Sequence, residues 1–352
     1  MLRVNLTNHY YDILLERQAL QQTGAWAASL WQPQRVAIIT DSNVVGLYEA
    51  VVKESLETHG FEVSTFVVPA GEASKSLEQA TILYDELAEH GFTRSDGIVA
   101  LGGGVIGDLA GFVASTYMRG IHFLQIPTTL LAQVDSSIGG KTAVNTKNAK
   151  NLVGTFSQPD GVLIDPVVLD TLDDRRLREG IAEIVKSAAI ADKQLWALLD
   201  TLTDEFELRE RAEEFILPSL EVKRKVVEED EFDNGSRLTL NFGHTIGHGI
   251  EKTAGYGVVS HGEGVAVGMV MISNHAEKIG QMPVGTTNQL INMLNKFHLP
   301  TKLDTLDTGA IYQAITHDKK ARGKQLKIIL LEAIGQAKIV SIPIESMKDY
   351  LL

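Results

Sequence analysis

Gly97-Ile-Val-Ala-Leu-Gly-Gly-Gly-Val-Ile-Gly-Asp108 is an apolar run that stops at three glycines and then opens into small residues. Gly97 to Leu101 has the character of a buried strand, and Leu109 to Ser115 that of a tightly packed helix. A turn of this kind turns backbone N–H groups and a helix N-terminus toward an anion such as a pyrophosphate, because glycine permits close approach and the helix dipole favours negative charge. Gly102, Gly104 and Gly107 formally satisfy G-x-G-x-x-G. The match falls in the third strand-helix step of the chain, and no acidic residue closes a neighbouring strand about twenty residues on, so it is not an ordinary dinucleotide fingerprint. A glycine-rich packing turn is the competing interpretation. Asp41, which ends the first long strand at the same sheet edge, is the more natural ribose partner.

Working outward, Arg35-Val-Ala-Ile-Ile-Thr40 is a second buried-strand run, closed by the helix-capping sequence Asp41-Ser-Asn43. Val44 to His59 reads as helix and Phe61 to Val68 as strand, so the unit is β-α-β and implies a parallel sheet. Pro69 begins a turn into another helix that runs to about Glu89, and Ile121 to Ile126 is the next strand. Leu2 to Leu6 and Tyr11 to Leu15 flank a polar turn as short β structure. Beyond Asp170 to Arg175 strand-like runs largely cease, and long helical patterns cover Arg176 to Leu199 and Glu205 to Glu229. Leu326 to Leu331 and Ala337 to Ile342, around Gly335, read as a closing hairpin. The expectation is an α/β domain with a parallel sheet over residues 1–172, followed by a mostly helical domain over residues 173–352.

The chain has 352 residues, 44% of them hydrophobic, which is more than one core usually accommodates. Its formal charge of −13 argues against nucleic acid or an anionic membrane as partner. No cysteine is present, which removes disulfides, thiolate zinc sites and cysteine nucleophiles together. Any metal must then be held by histidine and carboxylate. Neither a secretory leader nor an apolar run long enough to span a bilayer is visible, so a cytoplasmic protein is expected.

A second concentration of chemistry lies at Leu240-Asn-Phe-Gly-His-Thr-Ile-Gly-His-Gly-Ile-Glu251 and His261-Gly-Glu-Gly-Val-Ala-Val-Gly-Met269. His244 and His248 are four apart and share a face if the segment is helical. His261 adds a third imidazole, and Gly262 and Gly264 leave room for a ligand beside the backbone. The spacing is that of a zinc-protease helix, but Thr245 stands where that motif needs its glutamate base. The stretch from Pro127 to Asn145 is dense in hydroxyls and glycine, and carries Asp135 and Lys141. Neither a core helix nor a solvated loop favours that composition, so it reads as a substrate or cofactor wall.

Gly102-Gly-Gly-Val-Ile-Gly-Asp108, Pro127-Thr-Thr-Leu-Leu-Ala-Gln-Val-Asp-Ser-Ser-Ile-Gly-Gly-Lys141, Lys150-Asn-Leu-Val-Gly154, Ala182-Glu-Ile-Val-Lys186 and Asn241-Phe-Gly-His-Thr-Ile-Gly-His248 occur in this order. In sequence and spacing the chain resembles the 3-dehydroquinate synthase family of sugar-phosphate cyclases, from about Arg35 to Leu331. The resemblance implies an NAD-binding α/β domain joined to a helical metal-binding domain, usually as a homodimer. It implies conversion of 3-deoxy-D-arabino-heptulosonate 7-phosphate to 3-dehydroquinate and phosphate in the shikimate pathway. NAD and a divalent metal are implied as cofactors, zinc first and cobalt as an alternative.

By the same resemblance the metal ligands are Glu183, His244 and His261, and His248 becomes a substrate-contacting or proton-moving residue instead of a ligand. NAD contacts fall at Asp41, Asn43, Gly71, Glu72, Lys75, Gly104, Val105, Asp108, Thr128, Thr129, Lys141, Lys150 and Thr171. His248, Lys141, Asp135, Asn241 and Lys186 take catalytic positions. Arg119, Asn151, Lys223, Arg237 and Lys320 take substrate positions, with Arg119 reaching across a dimer interface. A phosphorylated sugar acid on a protein of net charge −13 needs local cations, and the lysines and arginines of this set supply them. The alternatives are another sugar-phosphate cyclase and a metal- and NAD-dependent polyol dehydrogenase of similar fold.

Overall fold

The structure, a computed structural model, describes residues 1–147, 149–255, 257–317 and 325–352. It divides into two compact units, Met1–Leu172 and Asp173–Leu352.

The first unit contains strands β1 (Leu2–Asn5), β2 (Tyr10–Leu15), β3 (Arg35–Asp41), β4 (Glu62–Val68), β5 (Gly97–Gly102), β6 (His122–Pro127), β7 (Lys141–Val144), β8 (Val153–Phe156) and β9 (Gly161–Ile164). Its helices are α1 (Thr23–Leu30), α2 (Ala50–Thr58), α3 (Leu77–Glu89) and α4 (Gly104–Thr116). Seven strands form one sheet in the order β1-β2-β9-β6-β5-β3-β4, parallel throughout except for the antiparallel β1–β2 pair. β7 and β8 form a separate antiparallel hairpin with Lys141 opposite Phe156.

Alternation along β3 explains why the sheet is covered on both sides. Val36 and Ile38 join Trp26, Val52 and Leu56 of α1 and α2, whereas Ala37 and Ile39 join Leu83, Leu87, Ile106 and Leu109 of α3 and α4. The chain runs from β3 outward to β4 and returns to the other side of β3 as β5, so strand order reverses between β3 and β5. In open α/β sheets, ligands bind outside the carboxyl ends of strands at such a reversal. Asp41 and the glycine turn lie at those ends.

The second unit contains α5 (Asp174–Ala191), α6 (Lys193–Asp200), α7 (Glu205–Glu210), α8 (Ala212–Glu229), α9 (His244–Ala254), α10 (His261–Lys278), α11 (Thr286–Lys296) and α12 (Thr308–His317). A hairpin of β10 (Gln325–Ala333) and β11 (Gln336–Pro343) follows. Asp192 breaks the expected long helix over Arg176 to Leu199, because its extended backbone ends α5 while its carboxylate accepts from the Gln194 and Leu195 amides and caps α6. No described helix is long and apolar enough to cross a membrane.

α9 and α10 cross on glycine. A Cβ on Gly268 would lie 2.1 Å from the Gly243 carbonyl oxygen, and one on Gly247 would lie 2.9 Å from the Gly264 carbonyl carbon. A Cβ on Gly262 would meet the Glu179 Cα at 2.5 Å. This corrects the expectation that Gly262 and Gly264 leave space for a ligand: their open side is filled by neighbouring backbone.

Candidate functional site

α5 is apolar on nearly every side from Gly180 to Ile190, yet Glu183 and Lys186 lie buried within it. One helical turn apart, they form an ion pair through Glu183 Oε2. The other carboxylate oxygen, Oε1, is buried and accepts no hydrogen bond. His244 Nε2 stands 3.6 Å from it and His261 Nε2 3.5 Å. Ligand atoms of the three residues all fall within 4.8 Å of one another.

Both imidazoles are held by their far nitrogen. His244 Nδ1 lies 3.2 Å from the Phe242 carbonyl oxygen and His261 Nδ1 lies 3.0 Å from Glu251 Oε1. In the neutral ring, a carbonyl or carboxylate at Nδ1 takes the N–H and leaves the lone pair on Nε2, the usual support for a metal-binding histidine once a cation displaces the proton. A tetrahedral ion with bonds of about 2.0–2.1 Å sets its ligand atoms about 3.3 Å apart, close to the spacing found. The trio therefore fits a divalent cation. His248, Glu251 and His261 also bring ligand atoms within 4.8 Å of one another, but His248 is exposed and Glu251 already faces His261 Nδ1. The ring centroids of His244 and His248 are 5.3 Å apart.

The electrostatics agree with the geometry. Burial alone would raise the Glu183 carboxyl, but Lys186, His244 and His261 together hold it well below its ordinary value. Burial, reinforced by Lys186, pushes His244 well below its own. At His261 burial acts in the same direction but is overcome by Glu183 and Glu251, which raise it to about 10. A place that raises an imidazole's affinity for a proton also attracts a cation.

Around α5 the second unit buries further charge. Lys186, Lys223 on α8 and Arg237 in the turn Ser236–Asn241 are 2%, 7% and 3% exposed. Arg237 donates Nη1 to the Glu231 carbonyl at 2.6 Å, and Asn241 closes the same turn immediately before the Phe242-Gly243 entry to α9. Buried cations are costly unless an anion compensates them. Lys320 lies outside the described residues.

In the first unit, α4 begins at Gly104 without a side-chain cap, five residues earlier than expected, so its first-turn N–H groups lie at the carboxyl end of β5. A Cβ on Gly104 would approach Ser136 Oγ at 2.8 Å, and one on Gly107 would approach Gln125 Oε1 at 2.8 Å. The turn thus serves packing as well as opening a helix N-terminus. Lys75, buried, pairs with Asp108 of α4, and Val105 lies in the first turn of that helix. Gly71, at φ 107°, opens the short turn that carries Glu72, whose Oε1 accepts from Asn145 Nδ2 at 2.8 Å. Asn145 Oδ1 in turn accepts from the Asn151 amide at 2.9 Å.

Other members of the set have local roles. Asp41 Oδ1 accepts from the Asn43 amide at 2.8 Å and the Val44 amide at 3.2 Å. Thr128 is buried with its hydroxyl unsatisfied, Thr129 Oγ1 accepts from the Ala132 amide at 3.2 Å, and the Thr171 hydroxyl meets the Tyr48 phenol. Asp135 lies in the turn Ala132–Ser136, Lys141 opens β7 exposed, and Lys150 is exposed in the connection between β7 and β8. Arg119 is exposed with φ 69°.

A family profile for the 3-dehydroquinate synthase N-terminal region matches residues 65–179, and one for its C-terminal region matches residues 180–321. A curated 3-dehydroquinate synthase of Enterococcus faecalis is 65% identical over 350 residues, covering 99% of this chain and 98% of that protein. The chain belongs to the 3-dehydroquinate synthase family. Among solved structures, a 2-deoxy-scyllo-inosose synthase complexed with carbaglucose-6-phosphate, NAD+ and Co2+ superposes with TM-score 0.91 at 27% identity, over 99% of this chain and 98% of the other. A 2-epi-5-epi-valiolone synthase of Streptomyces hygroscopicus with NAD+ and Zn2+ bound gives 0.89 at 28%, over 99% and 97%. The fold is thus shared with an inosose and a valiolone synthase at 27–28% identity, whereas the 65% identity is to a 3-dehydroquinate synthase.

Sequence patterns alone did not single out Arg175, Glu251 or Glu263, all of which surround His261. A signal for one was present: Ser260-His-Gly-Glu263 has the S-x-x-E form of a capping box.

Proposed function

We infer that this chain converts 3-deoxy-D-arabino-heptulosonate 7-phosphate to 3-dehydroquinate and phosphate, as its curated relatives are named for doing. The observation that carries this reading is 65% identity across 99% of the chain to a 3-dehydroquinate synthase, against 27–28% for the inosose and valiolone cyclases. NAD, taking and returning one hydride, and a divalent ion, zinc or alternatively cobalt, would supply redox and Lewis-acid chemistry when bound.

The roles of the residues are carried over from the family resemblance. Glu183, His244 and His261 hold the ion; Lys186 balances the Glu183 charge from the opposite oxygen. In the second unit Lys223, Arg237 and Lys320 would receive anionic groups and Asn241 a hydroxyl of the substrate, and by the same resemblance Lys141, Asn151, Arg119 and Asp135 are the substrate positions of the first. His248, exposed one turn beyond His244, is the group best placed to move a proton. Asp41, Asn43, Gly71, Glu72, Lys75, Gly104, Val105, Asp108, Thr128, Thr129, Lys150 and Thr171 bind NAD at the strand ends. The first unit is then the nucleotide domain and the second the metal and substrate domain.

The reading extends to a cytoplasmic homodimer, for which sedimentation should give twice the 38.4 kDa chain mass. The deciding assay is phosphate release from the heptulosonate phosphate with catalytic NAD and added zinc. Many turnovers without accumulating NADH, with dehydroquinate as product, are expected. Stoichiometric NADH formed from polyols without phosphate release would overturn the reading, and a different carbocycle would move the chain to another cyclase.

A further inference from the structure

α5 meets the beginning of α10 on three successive turns of one face, at Arg175, Glu179 and Glu183. Glu183 faces His261. Glu179 presents its backbone to Gly262, where a Cβ would come within 2.5 Å of its Cα. Arg175 donates Nε and Nη2 to the two oxygens of Glu263, each at 2.8 Å, and Nη2 also reaches the Val258 carbonyl at 2.8 Å.

Glu263 is the distal half of a capping box. Its Oε2 accepts from the Ser260 amide at 2.8 Å, and Ser260 Oγ accepts from the Glu263 amide at 3.4 Å. His261 is the first helical residue inside that box. A two-point guanidinium fork on the box carboxylate restricts both where the turn lies and how it is rotated.

We propose that Arg175 is a positioning residue for His261, setting the first turn of α10 against α5 so that Glu183 Oε1 and His261 Nε2 can share one cation. The inference rests on the reading of Glu183, His244 and His261 as ligands. A structural role would be small, because the Arg175 side chain is 44% exposed and exposed pairs add little to stability. Its effect is therefore expected in metal affinity.

The test uses the full chain and measures Co2+ affinity by competition with a chelator, together with the cobalt absorption spectrum and the thermal midpoint. Arg175→Gln should weaken Co2+ binding about tenfold or more, the scale of lost support around a ligand. Its midpoint should stay within about 3 °C of the parent protein. Arg175→Lys should recover only part of the affinity, and Glu263→Gln combined with Arg175→Gln should be no worse than the poorer single change.

Arg178→Gln is the control, since Arg178, elsewhere on α5, pairs with Glu205 of α7. It should lower the midpoint and leave Co2+ affinity unchanged. Unaltered affinity in Arg175→Gln, or an equal loss in Arg178→Gln, would overturn the proposal. His261→Ala separates the underlying reading: Co2+ binding at the parental level in that variant would remove the ligand assignment itself.

Discussion

The glycines that follow β5 and those at the α9–α10 crossing do different work. In the turn after β5, the missing Cβ atoms of Gly104 and Gly107 face the ends of the Ser136 and Gln125 side chains, which can rotate away. At the α9–α10 crossing, Gly268 and Gly247 face main chain, which cannot. The first arrangement shapes a strand end that presents the uncapped backbone N–H groups of a helix start. The second lets two helices approach until side chains from each reach one buried oxygen. A site made of main chain tolerates local adjustment, whereas one made of side chains from three helices depends on helix spacing.

That contrast can be broken by substitution, beginning in the second unit. His261→Ala should lower phosphate release by about a thousandfold or more and empty the metal site without unfolding the chain. Metal analysis and circular dichroism check both parts, and full metal occupancy would remove His261 from the ligand set. Gly268→Ala should cost about 3 kcal/mol or more, seen as a lower denaturation midpoint, because no rotamer relieves a Cβ lying 2.1 Å from a carbonyl oxygen.

The buried carboxylate of Glu205 tests whether charge in this unit is structural away from the site. Arg178 Nη2 lies 2.6 Å from Oε1 and His298 Nδ1 2.8 Å from Oε2. Burial raises the carboxyl, but its own backbone amide, His298 and Arg178 reverse that and leave it below its ordinary value. Such a group stabilises the fold fully above the unfolded carboxyl value of about 4.3, and the contribution fades as pH falls through the lower folded value. Glu205→Gln should cost about 2 kcal/mol at neutral pH and flatten the acid limb of the stability curve, with activity per folded molecule preserved. An acid limb identical to that of the parent would show the pair to be inert.

Two changes in the first unit should be milder. Lys150→Ala is expected to weaken NAD binding about tenfold and leave metal affinity intact, as isothermal titration can show; the reverse order would misplace the nucleotide wall. Gly104→Ala should cost about 1 kcal/mol or less, since Ser136 can turn aside. If it destabilises as much as Gly268→Ala, the distinction between the two kinds of glycine fails.

Strands β3 to β6 were legible because each is an apolar run ended by a turn signal, and burial on both faces demands such runs. β9 escaped notice: Gly161-Val-Leu-Ile164 is four residues long, shows no alternation and follows Pro159 and Asp160. Gly262 and Gly264 were misread, because a glycine sequence does not say whether ligand or helix will occupy the space. His244 and His261 stand out by density, but Glu183 entered only through resemblance. A pattern was available, since two opposite charges one turn apart in a helix otherwise buried all round are rarely there without a partner. Its meaning depends on α9 and α10, which local sequence does not place.

The glycine crossing of α9 and α10 also constrains how this sequence can drift. Every amino-acid replacement of glycine adds at least a Cβ, so each mutational step at Gly268 leads directly into a main-chain clash, with no intermediate residue to pass through. Surface positions on the same helices can wander one residue at a time. This crossing can change only if both helices move in the same event, and a lineage keeping the site would inherit the crossing unchanged.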